Sequence, residues 1–248
     1  MCLIVFAWRP GHAVPLLVAA NRDEFYARPA TALAEWPDAP GLIAGRDLQA
    51  GGTWLGIGPG GRFAALTNIR NPSAPQGPRS RGELAQRFLC GDLSPEHFLT
   101  TLHAERGAYG GFNLLVGDTQ QLWHFNAHSG QAQALQAGIH GISNADLNTP
   151  WPKLQRAKAA FTQALDSGNE AELFALLADA TKPADEQLPS TGVSLEIERL
   201  LGSVFIASPT YGTRASTLLF AHADGRRRLI ERSFAAEGVP VGEVRIEV

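Results

Sequence analysis

Cys2-Leu3-Ile4-Val5-Phe6-Ala7-Trp8, then the turn Arg9-Pro10-Gly11, then a second apolar run over residues 15–20 that stops at Asn21-Arg22-Asp23-Glu24, is the stretch that decides the fold. Both runs are rich in strand formers, and neither alternates with polar residues. Strands that are apolar on both faces are buried on both faces. The turn between them makes a buried hairpin, with the polar tetrapeptide expected as an abrupt end to its second strand.

The same reading extends outward. Residues 53–57 and 62–68 flank the turn Gly58-Pro59-Gly60-Gly61, and residues 112–116 and 121–125 flank Gly117-Asp118. These are hairpin signals. Ser80-Arg81-Gly82-Glu83 has the form of a capping box and opens a predicted helix through Leu89. Ser94-Pro95 opens another, to about Arg106. A short strand is expected over 139–143. Predicted helices follow over 150–165, closed by Gly168, and over 170–180 and 195–201. The chain closes in predicted strands over 203–207, 215–222, 229–234 and 244–248. Hairpin-joined strands at both ends, with helices between, predict antiparallel sheets covered by helices instead of alternating βαβ units.

The chain has 248 residues, 44% of them hydrophobic, enough for a large core. No linker composition, low-complexity tract or internal repeat divides it, so residues 1–248 are read as a single domain. The net charge of −3 lacks the basic footprint of a nucleic-acid binder. The one basic run, Arg226-Arg227-Arg228, follows the turn Ala223-Asp224-Gly225 and reads as a solvated hairpin. No apolar stretch approaches the roughly 18 residues of a membrane helix. The first run is not preceded by a basic segment and breaks at Arg9-Pro10-Gly11, so no signal peptide is expected. Two cysteines, Cys2 and Cys90, do not make a disulfide framework and suit a reducing, cytoplasmic setting. The expected partner is a small-molecule substrate or ligand; no pattern in the chain sets an oligomeric state.

Several chemistries drop out. His124 and His128 on one strand would stand roughly 13 Å apart, too far to share a metal. No CxxC, HExxH, Walker A or GxSxG pattern is present, and no metal site is expected. The glycines around Pro59 open a strand, so they read as a turn and not as a phosphate loop.

Cys2 stands out by position. Removal of Met1 would make it the N-terminus, with its own α-amine as a base of reference pKa near 8. That amine can take the thiol proton as the sulfur attacks a carbonyl. Against this stands the plain reading of Cys2 as a small apolar residue in a buried strand. The strand ending at Asn21-Arg22-Asp23-Glu24 can return beside Cys2. Asp23 could then hold the α-ammonium, with Arg22 fixing Asp23 or an anionic group. Asn68 ends a strand and Asn144 follows another; both could donate to an oxyanion, although turn or cap roles suit asparagine at least equally. Arg214, in Tyr211-Gly212-Thr213-Arg214, is expected just before a strand and could pair a buried carboxylate. Asn21, Glu24 and Arg70 complete the candidates, as ligand contacts.

These segments carry a family resemblance. The start Met1-Cys2-Leu3-Ile4, the tetrapeptide Asn21-Arg22-Asp23-Glu24, GGTWLG from Gly51, ALTNIRNP from Ala65, SRGE from Ser80, GGFNLLVGD from Gly110, GISNADLNTPWPK from Gly141 and YGTRAST from Tyr211 resemble the NRDE family, also called the transport and Golgi organization protein 2 family. The likeness spans nearly the whole chain in matching order. Asn148 departs from it, standing where the family's acidic residue is expected. The family in turn resembles N-terminal-nucleophile hydrolases. That likeness implies an α+β fold, a four-layer αββα sandwich, and kinship with cysteine amidases that cleave penicillin V and bile-salt amides.

By that resemblance Cys2 is the nucleophile, Asp23 orients its amine, Asn144 and Asn68 hold the oxyanion, and Arg22 and Arg214 complete the site. The order Asn21-Arg22-Asp23-Glu24 differs from the amidases' Arg-Asn-x-Asp, which leaves the division of labour between Arg22 and Asp23 open. The implied reaction is hydrolysis of a small amide or thioester, acting on non-peptide C–N bonds and requiring no cofactor. The family has also been linked to haem trafficking, acyl-CoA balance and Golgi organisation. The alternative is therefore a non-enzymatic carrier of haem or an acyl-CoA-like ligand.

Overall fold

The computed structural model describes residues 2–248; the expected loss of Met1 lies outside them. In chain order the elements are β1 (Cys2–Trp8), β2 (Leu16–Phe25), β3 (Ala30–Trp36), β4 (Ala39–Asp47), β5 (Leu55–Gly58), β6 (Arg62–Asn68), α1 (Gly82–Cys90), α2 (Pro95–Glu105), β7 (Phe112–Gly117), β8 (Leu122–Asn126), β9 (Gln131–Ala134), β10 (Gly138–Ile142), α3 (Pro152–Leu165), α4 (Glu170–Leu177), α5 (Leu195–Leu200), β11 (Tyr211–Ala221), β12 (Arg227–Phe234) and β13 (Pro240–Glu247). The fold is α+β with two antiparallel sheets, and the chain forms two compact units.

The first unit holds the described residues through Ala27, Arg70–Ser73 and Ala137–Val248. Its sheet runs β10-β1-β2-β11-β12-β13, so β1 is an interior strand. Leu3, Val5 and Ala7 of β1 and Leu17 and Ala19 of β2 lie on one face, packed against Phe161 of α3 and Leu173 and Leu177 of α4. Each such fully buried side chain contributes roughly 1.5–3 kcal/mol, which is why β1 tolerates no polar residue. Cys2, Ile4, Phe6 and Trp8, on the alternate face, are buried as well.

The second unit holds Arg28–Ile69 and Ala74–Gln136, with the sheet order β3-β4-β5-β6-β7-β8-β9. Helix α1 lies on β4 to β7 and α2 on β8 and β9. On the helix side the aromatic rings of Phe112 and Phe125 stand 5.8 Å apart.

The structure corrects several expectations. The tetrapeptide Asn21-Arg22-Asp23-Glu24 forms the polar end of β2 but stays in the sheet: all four residues pair with β11, and Asn21 and Arg22 also pair with β1. Strand β11 begins at Tyr211, so Arg214 sits within the strand, at a bulge between Thr213 and Ala215. Residues 203–207 are not a strand, although 203–206 are buried. Their polar groups go elsewhere: Val204 O accepts from Asn21 Nδ2 at 2.9 Å, and Ile206 N donates to Thr213 Oγ1 at 3.0 Å.

No capping box forms at Ser80. Its hydroxyl accepts from Gly82 N at 3.3 Å, and Glu83 instead accepts from the Tyr109 hydroxyl at 2.6 Å. His128 lies in a turn beyond β8. Arg227 is not solvated: its guanidinium closes the β11–β12 turn, donating to Gly225 O at 2.7 Å.

Candidate active site

The register of the first hairpin places the candidates. Cys2 pairs with Arg22 and Leu3 with Asn21, so Asp23 stands one residue past the thiol. On the other side Ile4 pairs with Ile142. Two further steps along that antiparallel register set Asn144 across from Cys2. β11 brings Thr213 opposite Asp23 and Ala215 opposite Arg22, with Arg214 bulged between them. Five candidates from four distant segments therefore meet at one end of one sheet: Cys2, Arg22, Asp23, Asn144 and Arg214. Asn68 belongs to the second unit, where it ends β6 opposite Phe112.

Alternation divides their roles. Asn21 and Asp23 share the helix-covered face with Leu3, while Cys2 and Arg22 share the other. Asn21 is fully buried and committed to the fold. It donates to Leu177 O at 2.8 Å and Val204 O at 2.9 Å, and accepts from the Ser216 hydroxyl at 2.6 Å. It was expected to touch ligand; its amide instead ties β2 to the end of α4 and to the 203–207 segment. Glu24 accepts from Phe25 N at 2.9 Å. Opposite it, Gly212 has no room for a side chain: a Cβ there would lie 2.4 Å from Ile206 O.

Asp23 is 1% exposed. Its carboxylate accepts from Thr213 Oγ1 at 2.8 Å, and the Tyr211 hydroxyl donates to its backbone carbonyl at 3.2 Å. Burial pushes the carboxyl up, opposed by the charges of Lys153 and Arg70 and by the Thr213 hydrogen bond. Burial also pushes the Cys2 thiol up, and the Asp23 charge adds to this. Arg22 and the Asp23 backbone N–H favour the thiolate. Ser143 Oγ approaches Cys2 O at 3.4 Å and donates to Asn144 Oδ1 at 3.2 Å, which fixes the orientation of that amide.

Two residues not picked from the sequence complete the cluster. Glu198 of α5 is buried against Arg70, with Nη1 to Oε2 at 2.5 Å, and accepts from Thr191 N at 2.9 Å. Arg70, expected as a ligand contact, is thus part of a buried ion pair. It also lies over the Trp151 ring, 4.8 Å from its centre, and donates its backbone N–H to Asn144 O at 2.7 Å. Lys153, in the first turn of α3, is 3% exposed, and burial pushes it down to about 8. A cation in the first turn of a helix opposes the macrodipole, a signal the sequence does carry. Among the described residues no three His, Cys, Asp or Glu side chains form a metal-ligand set.

A family model described as Transport and Golgi organisation 2 matches residues 1–236. This chain belongs to that family. The homolog of Transport and Golgi organization protein 2 from Bos taurus is 37% identical, over 94% of this chain and 93% of the relative. The Homo sapiens homolog is 33% identical, over 99% and 97%. The Drosophila melanogaster protein is 26% identical, over 94% and 92%. Among solved structures, the Caenorhabditis elegans N-acylethanolamine-hydrolyzing acid amidase ortholog aligns with a TM-score of 0.47 and 11% identity, covering 72% of this chain and 86% of that one.

Asn148 has φ +58°, a conformation asparagine tolerates better than most residues. Its Oδ1 accepts from Gly141 N at 3.0 Å and Lys158 Nζ at 2.7 Å, a local loop role. No helix among the described residues is long and apolar enough to cross a membrane.

Proposed function

We propose that this protein is a cysteine amidohydrolase of the N-terminal-nucleophile type, acting on a small amide or thioester. The observation that carries the reading is the cross-strand pairing of Cys2 with Arg22, which sets the buried Asp23 carboxylate one residue from the thiol. With Met1 removed, the Cys2 amine takes the thiol proton as sulfur attacks the carbonyl carbon. The Asn144 amide stabilises the oxyanion, and collapse expels the amine or thiol, which takes the proton back. Water then cleaves the acyl-cysteine thioester, returning the thiol and releasing the acid. Because burial favours the neutral thiol at rest, the base acts during attack and not before it.

The test is intact mass of protein from its native cell, followed by exposure to a β-lactone, which acylates a nucleophilic thiol on ring opening. The reading expects loss of Met1 and one acyl adduct on Cys2. Cys2→Ser should lose the adduct, or form it orders of magnitude more slowly, with the fold retained; Cys90→Ser should label as wild type. Retained Met1, with Cys2 no more reactive than Cys90, would defeat the hydrolase and favour a carrier on the same scaffold.

A further inference from the structure

Lys153 is a buried amine for which the fold has no evident structural use. It is 3% exposed, near the head of a helix packed on the sheet. An ammonium taken out of water is costly, and a methionine would fill the same space without that cost. Its position adds to the cost, since it opens the 14-residue helix α3, where the macrodipole repels a cation.

The first turn of α3 is firmly seated. The next residue, Leu154, packs onto Gly141 of β10 so closely that a Cβ there would lie 2.6 Å from Leu154 Cδ1. Helix α3 lies on β1 and β10, the strand that carries Cys2 and the strand that leads into Asn144. Two residues before Lys153, the Trp151 ring lies 4.8 Å from the Arg70 guanidinium, and Arg70 N donates to Asn144 O at 2.7 Å, so the head of α3 is held at the end of the sheet where the candidates meet; there the charges of Asp23, Cys2, Arg70 and Glu198 act on Lys153.

Resting on the hydrolase reading of this site, we propose that Lys153 is its positioning residue: from the first turn of α3, its ammonium balances the negative charge that Asp23 and Cys2 share once the thiol has lost its proton. The thiol proton leaves to the α-amine, or to water where that amine is blocked, and Lys153 lowers the cost of the thiolate in either case.

Arg70 and Arg22 also favour these anions, but from other positions. Arg70 is bound to Glu198 at 2.5 Å, and Arg22 lies on the opposite face of β2 from Asp23. Tyr211 donates to Asp23 O. From α4, Glu170 is paired with Arg228 and Arg245, and Glu172 accepts from Ser167. His140 of β10 stacks on Phe6.

The experiment is the rate of Cys2 alkylation by iodoacetamide against pH, in the full chain carrying Cys90→Ser so that one thiol reports. At pH 7.5, where Lys153 still holds its proton, Lys153→Met and Lys153→Gln should both slow labelling about tenfold, and the difference from wild type should fade as pH rises past about 8 and the amine is neutralised; Lys153→Arg should restore most of the rate at pH 7.5. Thermal melts confirm that each variant is folded. An unchanged rate at pH 7.5 in the neutral variants, or a slowing that Lys153→Arg does not reverse, overturns the proposal. The measurement needs no substrate. A chain that shows the Lys153 effect yet never accepts an acyl group refutes the hydrolase and keeps Lys153's role.

Discussion

Two buried polar clusters, one in each unit, differ in kind. In the second unit Thr67, Asn113, His124 and Asn126 lie on neighbouring strands and bond to one another. Asn113 Nδ2 donates to Thr67 Oγ1 at 3.2 Å, and Asn113 Oδ1 accepts from Asn126 Nδ2 and pairs with His124 Nε2, each at 3.2 Å. Gln133 Nε2 meets the other ring nitrogen at 3.3 Å. In the first unit Cys2, Asp23, Lys153, Arg70 and Glu198 are buried with their ionisable groups, and burial displaces the thiol, the carboxyl and the amine from their ordinary ranges. A network of hydrogen bonds between side chains of neighbouring strands holds those strands in register. A cluster of displaced titratable groups is costly to keep, and such clusters concentrate where protons are moved.

Asn21 gives the largest expected stability effect, and it sharpens that contrast from within the first unit. It lies two residues from Asp23 on the same strand face, yet it behaves like the second unit's cluster, with both amide donors and its oxygen committed. Asn21→Ala leaves Leu177 O, Val204 O and the Ser216 hydroxyl without these bonds in a dry core. The expected loss is about 3 kcal/mol, read from urea melts and equal at pH 7.5 and 9.5. A loss that varied with pH over that range would place Asn21 in the ionisable cluster instead.

The sequence makes the hairpin of residues 2–25 legible because both faces are apolar, and Cys2 legible because of its place beside it. The meeting of Asp23, Asn144 and Arg214 with Cys2 follows from strand ends that share one edge. What stays hidden has physical causes. Glu198 looks like a surface charge on a helix and Lys153 shows only its unfavourable place in a first turn; tertiary packing turns both inward. Strands β3 and β4 escape pattern reading because register shifts at Thr31/Ala34 and Glu35/Trp36 break the alternation. β9, Gln131–Ala134, is exposed throughout and carries no apolar face.

Lys153 should make the difference between the clusters measurable. Its folded pKa, about 8, lies below its ordinary value of 10.5. Between those values the unfolded chain holds a proton that the folded chain has released, so stability rises with pH across about 8 to 10.5 and is lost as pH falls through 8. Wild type should therefore gain relative to Lys153→Met, by up to about 2 kcal/mol, between pH 7.5 and 9.5. Urea melts of both proteins at the two pH values measure it. Parallel behaviour would mean that Lys153 is neutral or hydrated across the whole range, and the contrast would lose its clearest member.

Thr67→Val supplies the smallest effect and the matching control. The change keeps shape and volume and removes one hydroxyl that accepts from Asn113 Nδ2 in a site 1% exposed. The amide left behind loses one of its partners while Asn113 Oδ1 keeps Asn126 and His124. That amounts to about 1 kcal/mol, the ordinary net worth of a neutral hydrogen bond plus part of the desolvation of its donor. Neither threonine nor valine titrates, so the loss should be the same at pH 7.5 and 9.5 in the urea melts that test Lys153. If it instead grew or shrank by more than about 0.5 kcal/mol between the two, the second unit's cluster would be exchanging protons too, and the distinction between a structural network and a chemical one would fail in this protein.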